Sequence, residues 1–180
     1  MLLEPVEAYV PCEYRVKLAS DAWELGESRA LRRAVFCDEQ GIFIGDDTDG
    51  IDRYASTIVA VSCIAGVPDQ VVGTVRIHQE GPATWYGSRL AVQPLFRRVS
   101  RIGTSLIRMA VGSAHARGCR VFLAYVQKQN VAMFERLHWR SLREVTLHGR
   151  LHDFMQADLS HYPPIRDGGC GLVVAGRLAA

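Results

Sequence analysis

Hydrophobic and polar positions change period several times along the chain. Tyr14 to Leu18 alternates, the two-residue period of a strand with one buried face. Asp21-Ala22-Trp23-Glu24 then reads as a capping box opening a helix that runs through Leu31 towards Phe36. Cys37 to Asp52 carries Gly41, Gly45 and Gly50 among several acids, which predicts an ordered loop or a short helix with turns. Ser56 to Ile64 and Gln70 to Ile77 are β-rich runs about Ala65-Gly66-Val67-Pro68-Asp69, a hairpin signal. A further strand, Thr84 to Val92, stops at Gln93-Pro94. Thr104 to Arg117 reads as a helix: Leu106, Ile107, Ala110, Val111 and Ala114 form one apolar stripe, and Gly118 suits the C-cap. Val121 to Val126 is a short apolar strand and Asn130 to Leu137 a short helix. Two more strands are expected at Leu142 to Leu147 and Leu151 to Asp158. After Pro163-Pro164 the chain is rich in Gly, Ala and Val and shows no period. The order β-α-loop-β-β-β-α-β-α-β-β predicts a mixed α/β fold, a single sheet with helices packed on it. We read 1–162 as one domain and 163–180 as a Gly/Ala-rich C-terminal tail.

Composition narrows the function more than the fold. With 180 residues, 48% of them hydrophobic, the chain can build one full core. A net charge of +2 gives no basic field for nucleic acid or an anionic membrane. Thr57 to Val67, the one long apolar run, is too short to span a bilayer. Met1 to Pro11 has two acids and no basic residue, unlike a secretory signal. Five scattered cysteines, Cys12, Cys37, Cys63, Cys119 and Cys170, without Cys-x-x-Cys spacing, argue against a disulfide framework and a zinc site. We therefore expect a cytoplasmic protein with no nucleic-acid, membrane or metal partner.

The informative stretch is 85–106. A strand, Ser88-Arg89-Leu90-Ala91-Val92, ends at Pro94, and an arginine-rich turn, Phe96-Arg97-Arg98-Val99-Ser100-Arg101-Ile102-Gly103, opens the next helix. A helix N-terminus presents unpaired backbone N–H groups, and arginines beside it add bidentate donors, which together suit a phosphate. The plain alternative is a solvated basic turn.

These residues, with Ile102-Gly103-x-x-Leu106, resemble the acetyl-CoA motif of GNAT acetyltransferases, whose Gln/Arg-x-x-Gly-x-Gly/Ala pattern falls on Arg98 to Gly103. Met133-Phe134-Glu135-Arg136-Leu137-His138-Trp139 resembles a second family motif, following a strand that ends at Val126-Gln127. Val35-Phe36-Cys37-Asp38-Glu39-Gln40-Gly41 is similar to the Val-Phe-x-x-Glu-Gln-Gly signature of one branch, and Gly149 to Met155 to that branch's Gly-x-Pro-His-x-x-Met. This branch resembles the GNAT proteins of bacterial nitrogen-starvation gene clusters.

The resemblance implies a mostly antiparallel sheet with splayed middle strands and helices on both faces. It implies acetyl transfer, or transfer of a short acyl group, from acetyl-CoA to a small-molecule or peptide amine by direct attack. The cofactor would be held by Leu90, Ala91, Val92, Arg97, Arg98, Val99, Ser100, Arg101, Ile102, Gly103, Thr104 and Gln127. Glu39 would capture the ammonium substrate and His152 would be the candidate base.

Three residues depart from the pattern. Arg101 replaces the first motif glycine, Phe134 stands where a tyrosine often protonates the leaving thiolate, and His138 replaces a glycine. Bland roles are also open: Glu39 pairing with Arg32 or Arg33, Asp47, Asp49 and Asp52 as a solvated acidic loop, His78 exposed at a strand end, Cys119 as a buried inert thiol. Two other functions compete. Arg32-x-x-Val35-Phe36, the Asp47-x-Asp49-x-x-Asp52 spacing and Trp85-x-x-Ser88-Arg89 resemble acyl-homoserine-lactone synthases, which use acyl carrier protein, though Tyr86 stands where that family has a glutamate. A GNAT-shaped module that senses acyl-CoA without turnover is the other. The oligomeric state is not written in the sequence, although exposed sheet edges and the apolar tail suit a homodimer.

Overall fold

A computed structural model describes residues 10–99 and 101–176. The strands are β1 (Glu13–Leu18), β2 (Ser56–Ile64), β3 (Val67–Gln79), β4 (Thr84–Val92), β5 (Val121–Gln127), β6 (Trp139–Leu147), β7 (Arg150–Ala157) and β8 (Leu172–Ala175). They form one sheet in the order β6-β7-β5-β4-β3-β2-β1-β8. Every neighbouring pair is antiparallel except β4 with β5. The fold is therefore the mixed, mostly antiparallel α/β sheet expected from the sequence.

Strand alternation sends the core to both faces. In β2, Val59 and Val61 pack with Leu31 near the end of α1 (Ala22–Arg33) and with Val35 and Phe36 just beyond it. Ile58 and Ala60, one residue out of phase, face α2 (Ile102–Ala116) with its Ile102, Leu106 and Ala110. Short α3 (Val131–Arg136) adds Phe134 to this second cluster. Gly73 lets α2 approach: a Cβ there would stand 2.8 Å from Leu106 Cδ1.

The helix start read at Asp21 is present. Glu24 accepts from the backbone N–H groups of Ser20 and Asp21 and pairs with Lys17. Beyond α1 the chain widens into a π-helical segment, Ala34–Glu39, and Gly50–Arg53 is a 3-10 turn, which matches the ordered loop or short helix with turns expected over Cys37 to Asp52. The aperiodic stretch after Pro163 supplies β8, which pairs with β1 from Glu13↔Ala175 to Val16↔Leu172.

Candidate active site

The geometry of the site begins with one extra residue in β4. Arg76 faces Ser88 and Thr74 faces Ala91, so three steps on β4 oppose two on β3. This bulge holds Arg89 in the left-handed region at φ 57°. β4 and β5 pair only from Thr84↔Val121 to Gly87↔Ala124. Past that point β4 stays with β3 to Val92, while β5 stays with β7 to Gln127↔His152. The sheet thus splits, and a cavity of about 240 Å³ occupies the gap. On the α2 side its walls are apolar, with Ile107, Ala110, Val111, Phe122, Phe134 and Trp139. On the other side they are polar, with Gln40, Ser88, Arg89, Gln127, His148 and His152.

The polar mouth is assembled from distant segments. The π-helical turn brings both Phe36 and Gln40 to the cavity. Gln127 donates to the Gln40 side chain at 2.9 Å, and the Gln40 carbonyl accepts from Arg150 Nη2. His152 is buried, opposite Gln127 in the β5–β7 register, with Nδ1 2.9 Å from the Arg150 carbonyl. A carbonyl only accepts, so Nδ1 carries a proton, and in the neutral imidazole the lone pair is on Nε2. Phe43 roofs the opening, edge-on to His148 and under the Arg89 guanidinium, whose Cζ is 4.5 Å from its ring centre.

Behind the mouth lies a charge network that the sequence showed only as an acidic loop. Arg32 Nε binds Asp47 at 2.8 Å and its Nη1 binds Asp52 at 2.6 Å. Arg76 binds Asp49 at 2.7 Å and Asp52 at 2.9 Å, and Arg89 binds Asp47 at 2.9 Å and Asp49 at 3.2 Å. Three guanidinium groups therefore meet three carboxylates, and Asp47 is 2% exposed, so the reading of a solvated loop is corrected. Burial alone would raise Asp52. The Arg32 hydrogen bonds more than offset it and hold the carboxyl well below the usual carboxylate range. Asp49 is lowered in the same way, against burial, by Arg76. Burial pushes Arg89 down, with Arg76 beside it adding to the effect.

The other expected site residues fall into two groups. Arg97, read as a cofactor ligand, turns Nε to the Val92 carbonyl and both Nη groups to Glu39, at 2.7 and 2.6 Å. That hydrogen-bonded pair lowers Glu39 and raises Arg97, and both side chains stay 40% exposed. Glu39 thus meets Arg97 rather than Arg32 or Arg33, while its neighbour Gln40 lines the cavity. Leu90 lines the cavity too. Ala91 and Val92 continue β4 beyond the split, Ala91 packing on the α1 side and Val92 against the α2 core. Arg98 is exposed on the turn before α2, and Val99 and Ile102 are buried beneath it. Arg101 is the N-cap of α2 at φ 88°, a conformation natural to the glycine it replaces. Nothing lies within 4 Å of a Cβ built on Gly103, so the helix start is open, and the Thr104 hydroxyl returns to the Arg101 carbonyl. Ser100 lies outside the described residues. His78 is buried and stacked on Tyr86, which corrects its reading as an exposed strand end, and burial lowers its pKa. Cys119 is the buried thiol expected, its pKa pushed up by burial to about 11.

Sequence reasoning missed Gln40, Phe43, Ser88, Arg89 and His148 as members of one site. The Glu39-Gln40-Gly41 and Ser88-Arg89 motifs were the available signal.

Residues 16–139 match the acetyltransferase (GNAT) family profile. No curated protein sequence matches the chain. Among solved structures, a candidate N-acetyltransferase from Lactobacillus plantarum is similar at 19% identity, over 80% of this chain and 97% of that one, with TM-score 0.71. An acyl-CoA N-acyltransferase from Pseudomonas aeruginosa is similar at 18% identity, over 81% and 99%, with TM-score 0.64. A chain of the NatC complex bound to Gag peptide and CoA is similar at 14% identity, over 81% and 98%, with TM-score 0.60.

Proposed function

The chain belongs to the acetyltransferase (GNAT) family, and from that premise we propose that it is an N-acyltransferase acting on an amine by direct attack. Acetyl-CoA is the donor. The observation that carries the rest is the split between β4 and β5, whose cavity has an apolar and a polar side.

Phosphates of the donor would lie at the start of α2, where the backbone at Gly103 is open and Arg98 and Arg101 are close in the chain. Beyond Gly87 the β4 edge is free of β5, so pantetheine can run along Leu90 to Val92 as an added strand. A backbone N–H near Ala91 or Val92 would polarise the thioester carbonyl. Gln127 completes this wall.

The amine is a cation in water and must be neutral when it attacks. Glu39 is assigned to capture, exchanging its half-exposed partner Arg97 for the substrate ammonium. The His152 Nε2 lone pair takes the amine proton, directly or through one water. As the C–N bond forms and the C–S bond breaks, CoA leaves as a thiolate that takes a proton from water. Phe134 cannot donate one, and a thiolate needs little help to leave. The branch placement beside the nitrogen-starvation proteins, the cytoplasmic setting and a homodimer through a sheet edge belong to the same proposal. Among the described residues, no helix is long and apolar enough to cross a membrane.

Thiol release from acetyl-CoA across a panel of primary amines tests the assignment. Amine-dependent release with an N-acetyl product is expected. Donor binding without release on any amine would point to a sensor instead.

A further inference from the structure

The wall of the cavity is one-sided in charge. Among the described residues that line it there is no aspartate or glutamate, and the one fixed cation is Arg89. Glu39 pairs with Arg97, and neither lines the cavity. Asp47, Asp49 and Asp52 are turned onto Arg32, Arg76 and Arg89 behind it.

Its hydrogen-bonding groups are one-sided too. Gln129 Nε2 donates to Gln127 Oε1 at 2.8 Å, and Gln127 Nε2 donates to Gln40 Oε1 at 2.9 Å. This chain uses the acceptor oxygen of Gln40 and leaves its Nε2 without a partner among the described residues. Ser88 Oγ already accepts from Arg76 Nε at 3.0 Å and has its own proton still to give. Arg89 spends Nε and Nη2 on Asp47 and Asp49, and its Nη1 carries no hydrogen bond among the described residues. Tyr125, Asn130 and a neutral His148 can each donate or accept, so they decide nothing. His152 Nε2 accepts, and it is taken up with the amine proton.

An alkylammonium brings only positive charge and donors, which this wall already has. A carboxylate brings acceptors, and such donors give it charge-assisted hydrogen bonds. The acceptor must still present an amine. We propose that it is a free amino acid, whose carboxylate is held by Arg89 Nη1, the Ser88 hydroxyl and Gln40 Nε2. Its amine then faces His152. A peptide N-terminus, with a neutral amide in place of the carboxylate, is the poorer match. The inference rests on the acyl-transfer reading above and names its acceptor. The amine nitrogen bonds to the thioester carbon, the C–S bond breaks, His152 takes the amine proton, and the products are an N-acyl amino acid and CoA.

The test is the rate of CoA release from acetyl-CoA with free amino acids, their amides and their decarboxylated amines, compared per free base. The free acid should exceed its matched amide and amine in kcat/KM by about tenfold or more, the scale of a charge-assisted hydrogen bond. Two variants check the placement. Arg89→Met should erase the preference. Gln40→Glu keeps the oxygen that Gln127 bonds but replaces a donor by negative charge, so it should turn the preference towards the amine. Should Arg89→Met not fold, Gln40→Glu decides. Amides or amines used as well as the free acids overturn the inference and leave acyl transfer intact. So does a preference unchanged in the folded variants. Acetyl-CoA binding with no release on any amine overturns both.

Discussion

Replacing Arg76 by Met should expose how the acceptor side is held. Arg76 is 1% exposed, and its guanidinium reaches Asp49 at 2.7 Å, Asp52 at 2.9 Å and the Ser88 hydroxyl at 3.0 Å. Methionine fills similar space but leaves two carboxylates short of a counter-charge. Removing one partner of a buried pair costs about 3–5 kcal/mol. The lower end applies, because Asp52 keeps Arg32 and Asp49, more exposed, keeps Arg89. A loss near 3 kcal/mol corresponds to a melting point lower by roughly 6–12 °C for a chain of this size.

The pH response supplies an independent reading. Asp49 and Asp52 titrate below their ordinary value in the folded state. Their stabilisation is therefore fully present above the unfolded carboxylate pKa, about 4, and is lost as pH falls through the lower native values. In Arg76→Met that depression relaxes, so the remaining acid-dependent loss should be smaller. Urea melts of wild type, Arg76→Met and Arg76→Lys between about pH 3 and pH 7 read both effects. Arg76→Lys keeps the charge but not the fork, so it should fall between the other two. A loss below about 1 kcal/mol at neutral pH, the size of an exposed pair, together with an unchanged acid limb, would refute the network as a structural anchor.

Arg98→Glu should weaken acetyl-CoA by at least about 1.5 kcal/mol, the lower range of a charge-assisted contact; calorimetry giving unaltered affinity would move the phosphates elsewhere. Arg101→Gly should stabilise the fold by about 1 kcal/mol, since an L-residue is strained at φ 88°. It should also flatten the salt dependence of acetyl-CoA binding without tightening it, whereas tighter binding would mean the arginine obstructs. Glu39→Gln should raise the acceptor KM and His152→Ala should lower kcat about a hundredfold or more, both with acetyl-CoA affinity unchanged. Wild-type steady-state kinetics in both folded variants would remove these roles.

The elements with a clean period were legible in the sequence. Leu106, Ile107, Ala110 and Ala114 mark a buried helical stripe whatever surrounds them, because a 3.6-residue period needs no partner to be seen. The tail was not legible. β8 is four residues long and lies beside β1 only because Gly171, at φ 67°, tolerates the Val16 carbonyl where a Cβ would sit 2.1 Å away. Nor was the role of the acids. Asp47, Asp49 and Asp52 look like a solvated run until Arg32, Arg76 and Arg89, as far as 42 residues away in the chain, are folded onto them.

What the sequence determined by itself is the elements from β1 to β7 and their order, since their periods depend on neighbours along the chain. Tertiary structure decided the rest. It chose Gln40 over Glu39 for the cavity wall, gave Arg97 to Glu39, and opened the sheet at Gly87 and Ala124. Each depends on strand register and on a single extra residue in β4, and register follows from pairing between distant segments, which no local pattern encodes.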